Sequence, residues 1–341
     1  MKKLIFILLI ISLFFSACKN DDWEFPDYDY TTVYFAYQSP IRTITLGEDI
    51  FDTSLDNEHK CEIIATMGGV YKNHKNVVID YRVDNSLCNN LTFKSNGEKV
   101  LPMPEAYYSL LSDKITIPKG EILGRLAVQL NDAFFEDPLS LKNTYVIPIV
   151  LTDVQNADSL LVGDAAVSDP NRFLVTDWNT TPKDYVLYAI KYINPWHANY
   201  LRRGKDIVTG KNGDSSSDKT IIRHKEYVEK DEVCNMTTVA YDEVALPLTF
   251  LDKNGYKLEH TLILKFDDNG QCVISSEDYA TSGTGSFVKK GDKNSWGNID
   301  RDVIYLDYTI DFGDITYATK DTLVVRDRGI SLETFEPVFS E

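Results

Sequence analysis

The densest grouping of side chains suited to a polar ligand is Trp196-His197-Ala198-Asn199-Tyr200-Leu201-Arg202-Arg203. An aromatic ring packs against the C–H face of a sugar, while imidazole, phenol and guanidinium groups meet its hydroxyls. Trp196, His197, Tyr200, Arg202 and Arg203 are therefore candidate ligand-binding residues, with Trp296, in the polar stretch Asn294–Gly297, as a second element. Pro195 and the polar residues around it place Trp196 in a loop at a strand end, where rings are often presented to ligand. The same residue types also anchor cores and interfaces. On that competing reading Trp196 closes the end of a strand barrel, and Arg202 and Arg203 are strand-face charges.

Covalent chemistry finds less support. The five histidines, His59, His74, His197, His224 and His260, include no pair at the i, i+4 spacing of a helical zinc site. His260 shares a strand face with Leu258, Leu262 and Leu264, which suits a satisfied core histidine. No nucleophile elbow or dinucleotide fingerprint occurs, and Thr281-Ser282-Gly283-Thr284-Gly285-Ser286 reads as a flexible loop. Asp267-Asp268-Asn269-Gly270 lacks the ligand spacing of a calcium loop and reads as a tight hairpin. Asp307, Thr309 and Asp311 alternate on one strand and read as a solvated face. The expectation is a non-enzymatic chain with no catalytic residues, no metal and no cofactor.

The chain begins with Lys2 and Lys3, an apolar run from Leu4 to Phe15, and Ser16-Ala17-Cys18. A dozen apolar residues cannot cross a bilayer of roughly 30 Å, which takes about 20. The segment 1–17 therefore reads as a signal peptide. Small residues before a cysteine suit lipoprotein processing, so Cys18 is the expected lipidation site and residues 18–26 a lipidated tether. Lys19-Asn20-Asp21-Asp22 resembles the acidic export tag of Bacteroidetes surface lipoproteins. That resemblance implies a lipid anchor in the outer membrane with the protein facing the cell exterior.

Net charge is -17, from 35 Lys and Arg against 52 Asp and Glu, and becomes more negative once Lys2 and Lys3 are removed. Nucleic acid is excluded as a partner because phosphate contacts need clustered cations. The remaining expected partners are the membrane through the anchor, glycan, and other outer-membrane proteins. Cys61, Cys88, Cys234 and Cys272 admit disulfides in this compartment, but three of them fall on core-facing positions, so buried thiols fit at least as well.

The elements that must position these residues are strands. Period-two alternation dominates Thr31–Gln38, Ile41–Leu46, Cys61–Met67, Val77–Val83, Lys114–Ile117, Arg125–Leu130 and Tyr145–Leu151. These suit a β-sandwich. Pro148 should make its strand an edge or accompany a bulge, and Ala106–Asp113 reads as a helical turn. Beyond a polar stretch and a linker at Asn179–Pro182, the pattern restarts with Tyr185–Ile193 and continues through Asn199–Val208, Lys219–Val228, Val233–Tyr241, Val244–Leu251, Leu258–Phe266, Cys272–Ser275, Val303–Phe312 and Ile315–Val325. Asn254-Gly255 and Asn269-Gly270 are hairpin signals. The expected fold class is all-β, a sandwich over 27–176 followed by an antiparallel meander over 177–341, closed as a barrel or folded as a second sandwich, with the two units folding independently.

Tyr107-Tyr108-Ser109-Leu110, Lys114–Glu121 and Tyr145–Val150 resemble the N-terminal immunoglobulin-like domain of unknown function of many Bacteroidetes surface lipoproteins. Trp196–Asp206 and Asp321–Gly329 are similar to a C-terminal β domain, lipocalin-like in outline, that accompanies it. The resemblance implies a surface lipoprotein near glycan-utilisation machinery. The functional expectation is a carbohydrate-binding or accessory protein; an adhesive or structural outer-membrane partner, or a small-molecule binder using a barrel lumen, is the alternative.

Overall fold

A computed structural model describes residues 27–340; Cys18 and the signal and tether segments lie outside them. The chain is nearly all strand. The first unit stacks two curved sheets. One is ordered Ser159–Leu160, Thr32–Tyr34, Lys60–Gly68, Leu123–Leu130, Tyr108–Leu110. The other runs Glu333–Thr334, Pro40–Thr45, Tyr185–Ile193, Tyr145–Gln155, Val77–Val83, Lys114–Ile117. Alternate residues of both, including Ile63, Leu126, Ile79, Ile147 and Ile190, meet in one buried core, as expected of a sandwich whose strands alternate inward and outward.

The second unit is a closed antiparallel barrel of eight strands: Ala198–Gly210, Glu232–Ala240, Glu243–Leu251, Lys257–Phe266, Gln271–Ser275, Ala280–Asp292, Arg301–Asp311 and Ile315–Asp327. Closure comes from the long pairing between the first and the last, from Asn199↔Asp327 to Gly210↔Ile315. A short ninth strand, Lys219–Arg223, pairs with the second half of Ala198–Gly210. Leu246, Leu262, Leu264, Leu306, Tyr308, Ile310 and Leu323 point inward and are buried together. Side chains from all eight strands pack against one another at the centre.

Three local expectations change. Tyr185–Ile193 does not open the barrel; it pairs antiparallel with Tyr145–Gln155 and parallel with Pro40–Thr45 inside the sandwich sheet. Thr281–Ser286 is not a flexible loop but the middle of the barrel strand Ala280–Asp292, paired on both sides. Ala106–Asp113 shortens to a single 3-10 turn, Glu105–Tyr107, before the strand Tyr108–Leu110. Pro148 lies in a central strand whose register with Val77–Val83 shifts at Leu151/Asp153, the bulge its presence suggested. Its carbonyl accepts from Asp84 N just past the end of that neighbour, so the missing amide hydrogen costs no ladder bond.

The two units are joined twice. The chain leaves the sandwich at Ile193 and enters the barrel at Ala198, then returns after Asp327 to place Glu333–Thr334 on Pro40–Thr45 and Pro337–Phe339 on Leu91–Phe93. Phe335 and Phe339 pack there on a satellite core containing Leu91, Phe93 and Leu187. At the junction Arg328 is buried and donates to four carbonyl oxygens, Leu46 and Glu48 of the sandwich loop and Asn194 and His197 of the connection. Among the described residues, Cys61, Cys88, Cys234 and Cys272 are buried and unpaired, and burial pushes each thiol up to about 12.

Candidate functional site

The six sequence candidates do not form one cluster. Trp196 lies flat against Phe266, with ring centroids 4.2 Å apart and 8° between planes, and packs on the end of the barrel core. Tyr200 is fully buried below it and donates to the Trp196 carbonyl at 2.8 Å. His197 accepts from Thr238 N at 3.0 Å through Nδ1. Burial first, then the nearby Arg328 and Lys191 charges, push its pKa down to about 4, so it is a neutral packing group. Arg203 projects the other way, to Asp231 at 2.6 Å. Trp296 sits on the outer wall of the barrel over Leu201, Val303 and Val324. Its other face carries the Arg301 guanidinium 3.5 Å from the ring centroid. Both faces of Trp296 are thus covered, and one face of Trp196 is taken by Phe266.

Arg202 is inside the barrel and 2% exposed. Its Nε donates to Asp321 at 3.0 Å, and Tyr308 donates to the same carboxylate oxygen at 2.8 Å. Arg223 joins from the short ninth strand, bonding Asp321 at 2.5 Å and Asp206, which also accepts from Thr319 at 2.8 Å. Burial opposes the Arg202 charge, yet Asp321, Tyr308 and Glu232 outweigh it and raise its pKa. Two arginines set against two aspartates, with Glu232 reaching Arg202 at 3.4 Å from the edge, form an ion-pair network within an apolar core, in which Arg223 Nε is left without a partner. Sequence reasoning found Arg202 but missed Asp206, Arg223 and Asp321; the signal was charged residues at inward positions of otherwise apolar strand faces.

The junction of the two units holds a cleft of about 300 Å³. Gly47–Ile50 of the sandwich forms one wall; Phe287–Lys290, Ile299–Asp302 and Val325–Arg328 of the barrel form the other, with Pro195 at the base. Lys289 of the barrel pairs with Glu48 of the sandwich across it. Ile50 and Ile299 expose aliphatic surface at the rim. Asp302 is tied to Lys290 N at 2.7 Å, and Asp300 to Asn294 N at 3.0 Å and Lys293 at 2.9 Å. The Asn294 amide and the Lys293 ammonium hold the Asp300 carboxyl below its usual range. Lys290 and Arg301 have no carboxylate partner among the described residues. The arrangement offers apolar ledges beside the Lys290 ammonium, the Trp296-stacked Arg301 guanidinium and hydrogen-bonding carboxylates, which suits a polar ligand with C–H faces.

Burial raises the pKa of Asp56, which is enclosed in the sandwich against Thr45 N and Arg42, away from the cleft.

Comparison with known proteins places both units. A model of a domain of unknown function, DUF5627, matches residues 195–329, the barrel with its entry and exit. A second family model, of an N-terminal domain, matches residues 28–158. The chain is 46% identical to a Bacteroides ovatus protein of unknown function with a crystal structure from structural genomics, covering 92% of this chain and 100% of that one at a TM-score of 0.87. A Bacteroides ovatus multidomain protein including DUF1735 is 12% identical, covering 89% of this chain and 100% of that one at a TM-score of 0.38. A Bacteroides ovatus protein named for carbohydrate binding is 13% identical, covering 89% of this chain and 97% of that one at 0.26. Superpositions that loose carry no argument. No curated protein matches the chain.

Proposed function

The chain belongs to the family of the Bacteroides ovatus protein of unknown function that it matches over nearly its whole length, and from that footing we propose that it is a non-catalytic, lipid-anchored surface protein that binds carbohydrate in the cleft between its two units. The observation that carries this reading is the cleft's composition. Ile50, Ile299 and Phe287 supply surfaces for the C–H faces of a sugar ring, and Lys290, Arg301 and Asp302 supply groups for its hydroxyls. Buried, partly apolar concavities with a few converging polar groups are the usual form of small-ligand sites. The Arg328 contacts hold both walls in one geometry, so little ordering is needed when ligand binds. The anchor at Cys18 and the outward orientation are part of the same proposal.

Glycan-array screening of the full chain, followed by calorimetry with the best hit, tests it. Lys290→Ala and Ile299→Ser, both at exposed or half-exposed positions, should weaken binding at least tenfold with unchanged melting temperature. A glycan bound equally well by both variants would move the site elsewhere; no glycan bound at all would remove the reading.

A further inference from the structure

We propose that the end of the sandwich bearing Tyr28, Tyr30 and Tyr71 rests on the lipid surface that holds the chain's own anchor. This inference rests on the anchor at Cys18. The three tyrosines are 79%, 60% and 67% exposed. They are brought together by backbone contacts between the first described segment and the turn after Lys60–Gly68. Tyr28 N donates to Gly69 O at 2.7 Å, and Tyr71 N to the Asp27 carboxylate at 2.8 Å. Gly69, at φ +97°, makes the approach possible, because a Cβ there would stand 2.3 Å from the Tyr30 carbonyl oxygen.

Three features select lipid as the occupant. The first is position. Asp27 lies nine residues beyond Cys18, so a fully extended tether, at about 3.4 Å per residue, keeps this end within about 30 Å of the bilayer. The second is chemistry. Tyrosine presents an apolar ring and a polar tip, the combination enriched at membrane–water interfaces. The third is charge. A chain of net charge -17 is repelled by an anionic surface, but at this end Lys72 and Lys75, both exposed, offset part of the charge of Asp27, Asp29 and Asp158, the last bonded to Thr31. The face is less acidic than the protein as a whole. Each tyrosine alone would bind weakly; the anchor supplies the local concentration that makes weak contacts persist.

Tyr71→Cys and Tyr28→Cys, each labelled with a polarity-sensitive fluorophore in the lipidated full-length protein, provide the test, with the exposed barrel position Tyr256→Cys as control. The four native thiols of the described residues are buried, so the label goes to the introduced site. On incorporation into mixed phosphatidylcholine and phosphatidylglycerol vesicles, emission at positions 71 and 28 should shift to the blue and become quenched by brominated lipid, while position 256 stays unchanged. Protein that floats with vesicles yet shows no shift at 71 overturns the proposal and leaves the anchor standing. Protein that fails to float overturns both. A shift at 71 that needs outer-membrane proteins and is missing in pure lipid makes this face a protein contact and overturns the lipid assignment.

Discussion

Arg223 reaches Asp321 over the top of Gly204: the two residues pair with the glycine from opposite sides, and their side chains meet at 2.5 Å across it. A Cβ at 204 would lie 2.2 Å from the Asp321 carboxylate and 3.0 Å from the Arg223 guanidinium. The glycine therefore stands at an inward position between Arg202 and Asp206 because the ion pair occupies the space a side chain would need.

Gly204→Ala is accordingly expected to push Arg223 from Asp321 and leave a buried carboxylate with one guanidinium fewer. Separating a buried pair costs about 3–5 kcal/mol. Urea unfolding should show a loss of that order, and the variant should be insensitive to a further Arg223→Met change. A loss under about 0.5 kcal/mol, the scale of an ordinary surface substitution, would mean the contact contributes little.

Trp196→Ala should lower stability by about 3–5 kcal/mol, the range for removing a packed tryptophan, since it loses the stack on Phe266. Trp296→Ala should cost less, because that ring covers three outward residues on the wall. Thermal unfolding of both variants checks this, and an unchanged melting temperature for Trp196→Ala would mean that the stack on Phe266 does not hold the barrel end.

Acid should weaken the fold through His197. Its pKa falls from the ordinary 6.5 to about 4 on folding, so the unfolded chain takes up a proton that the folded one refuses. Stability is complete above about pH 6.5 and is lost as pH falls toward 4, by on the order of 3 kcal/mol for a displacement of that size. Burial lowers His260 in the same direction. Unfolding free energies between pH 6.5 and 5, above the range where most carboxylates titrate, should fall in the wild type and flatten in His197→Gln.

The piece 195–329 should unfold cooperatively by itself, whereas 27–176 should not, because the latter lacks Tyr185–Ile193 from the middle of its second sheet and Glu333–Thr334 from its edge. Differential calorimetry of both fragments decides this. A sharp transition in 27–176 would show that the sandwich tolerates an unfilled sheet.

Most strands were legible because burial on one face writes itself as alternation, as in Ile304, Leu306, Tyr308 and Ile310. Tyr185–Ile193 was legible as a strand but not as to its partners. Its nearly unbroken apolar run suits burial on both faces, yet its neighbours Pro40–Thr45 and Tyr145–Gln155 are distant along the chain. Ala280–Asp292 was hidden by its glycines. Those glycines answer to packing: Cβ atoms at 283 and 285 would come within 2.5 Å of Tyr308 and 2.6 Å of Leu306, so their absence admits the larger side chains of the adjacent strand. At the candidate site, the aromatic and basic residues of 196–203 were visible by type, but strand parity sent Arg202 inward and Arg203 outward, which composition does not convey. The cleft was illegible because its walls come from segments some 240 residues apart, joined by Glu48 and Lys289.

Because sandwich strands lie both before and after the barrel in sequence, the barrel is topologically an insertion into another domain. Synthesis runs from the N-terminus, so the strand that borders Pro40–Thr45 and the phenylalanines that seal Leu91 and Phe93 arrive only after the whole barrel has emerged. The first unit to be made is thus the last to be finished. Until then it presents an open sheet edge and an uncovered apolar patch, the features that invite chaperone capture. A premature stop anywhere in the barrel consequently costs the cell both units rather than one.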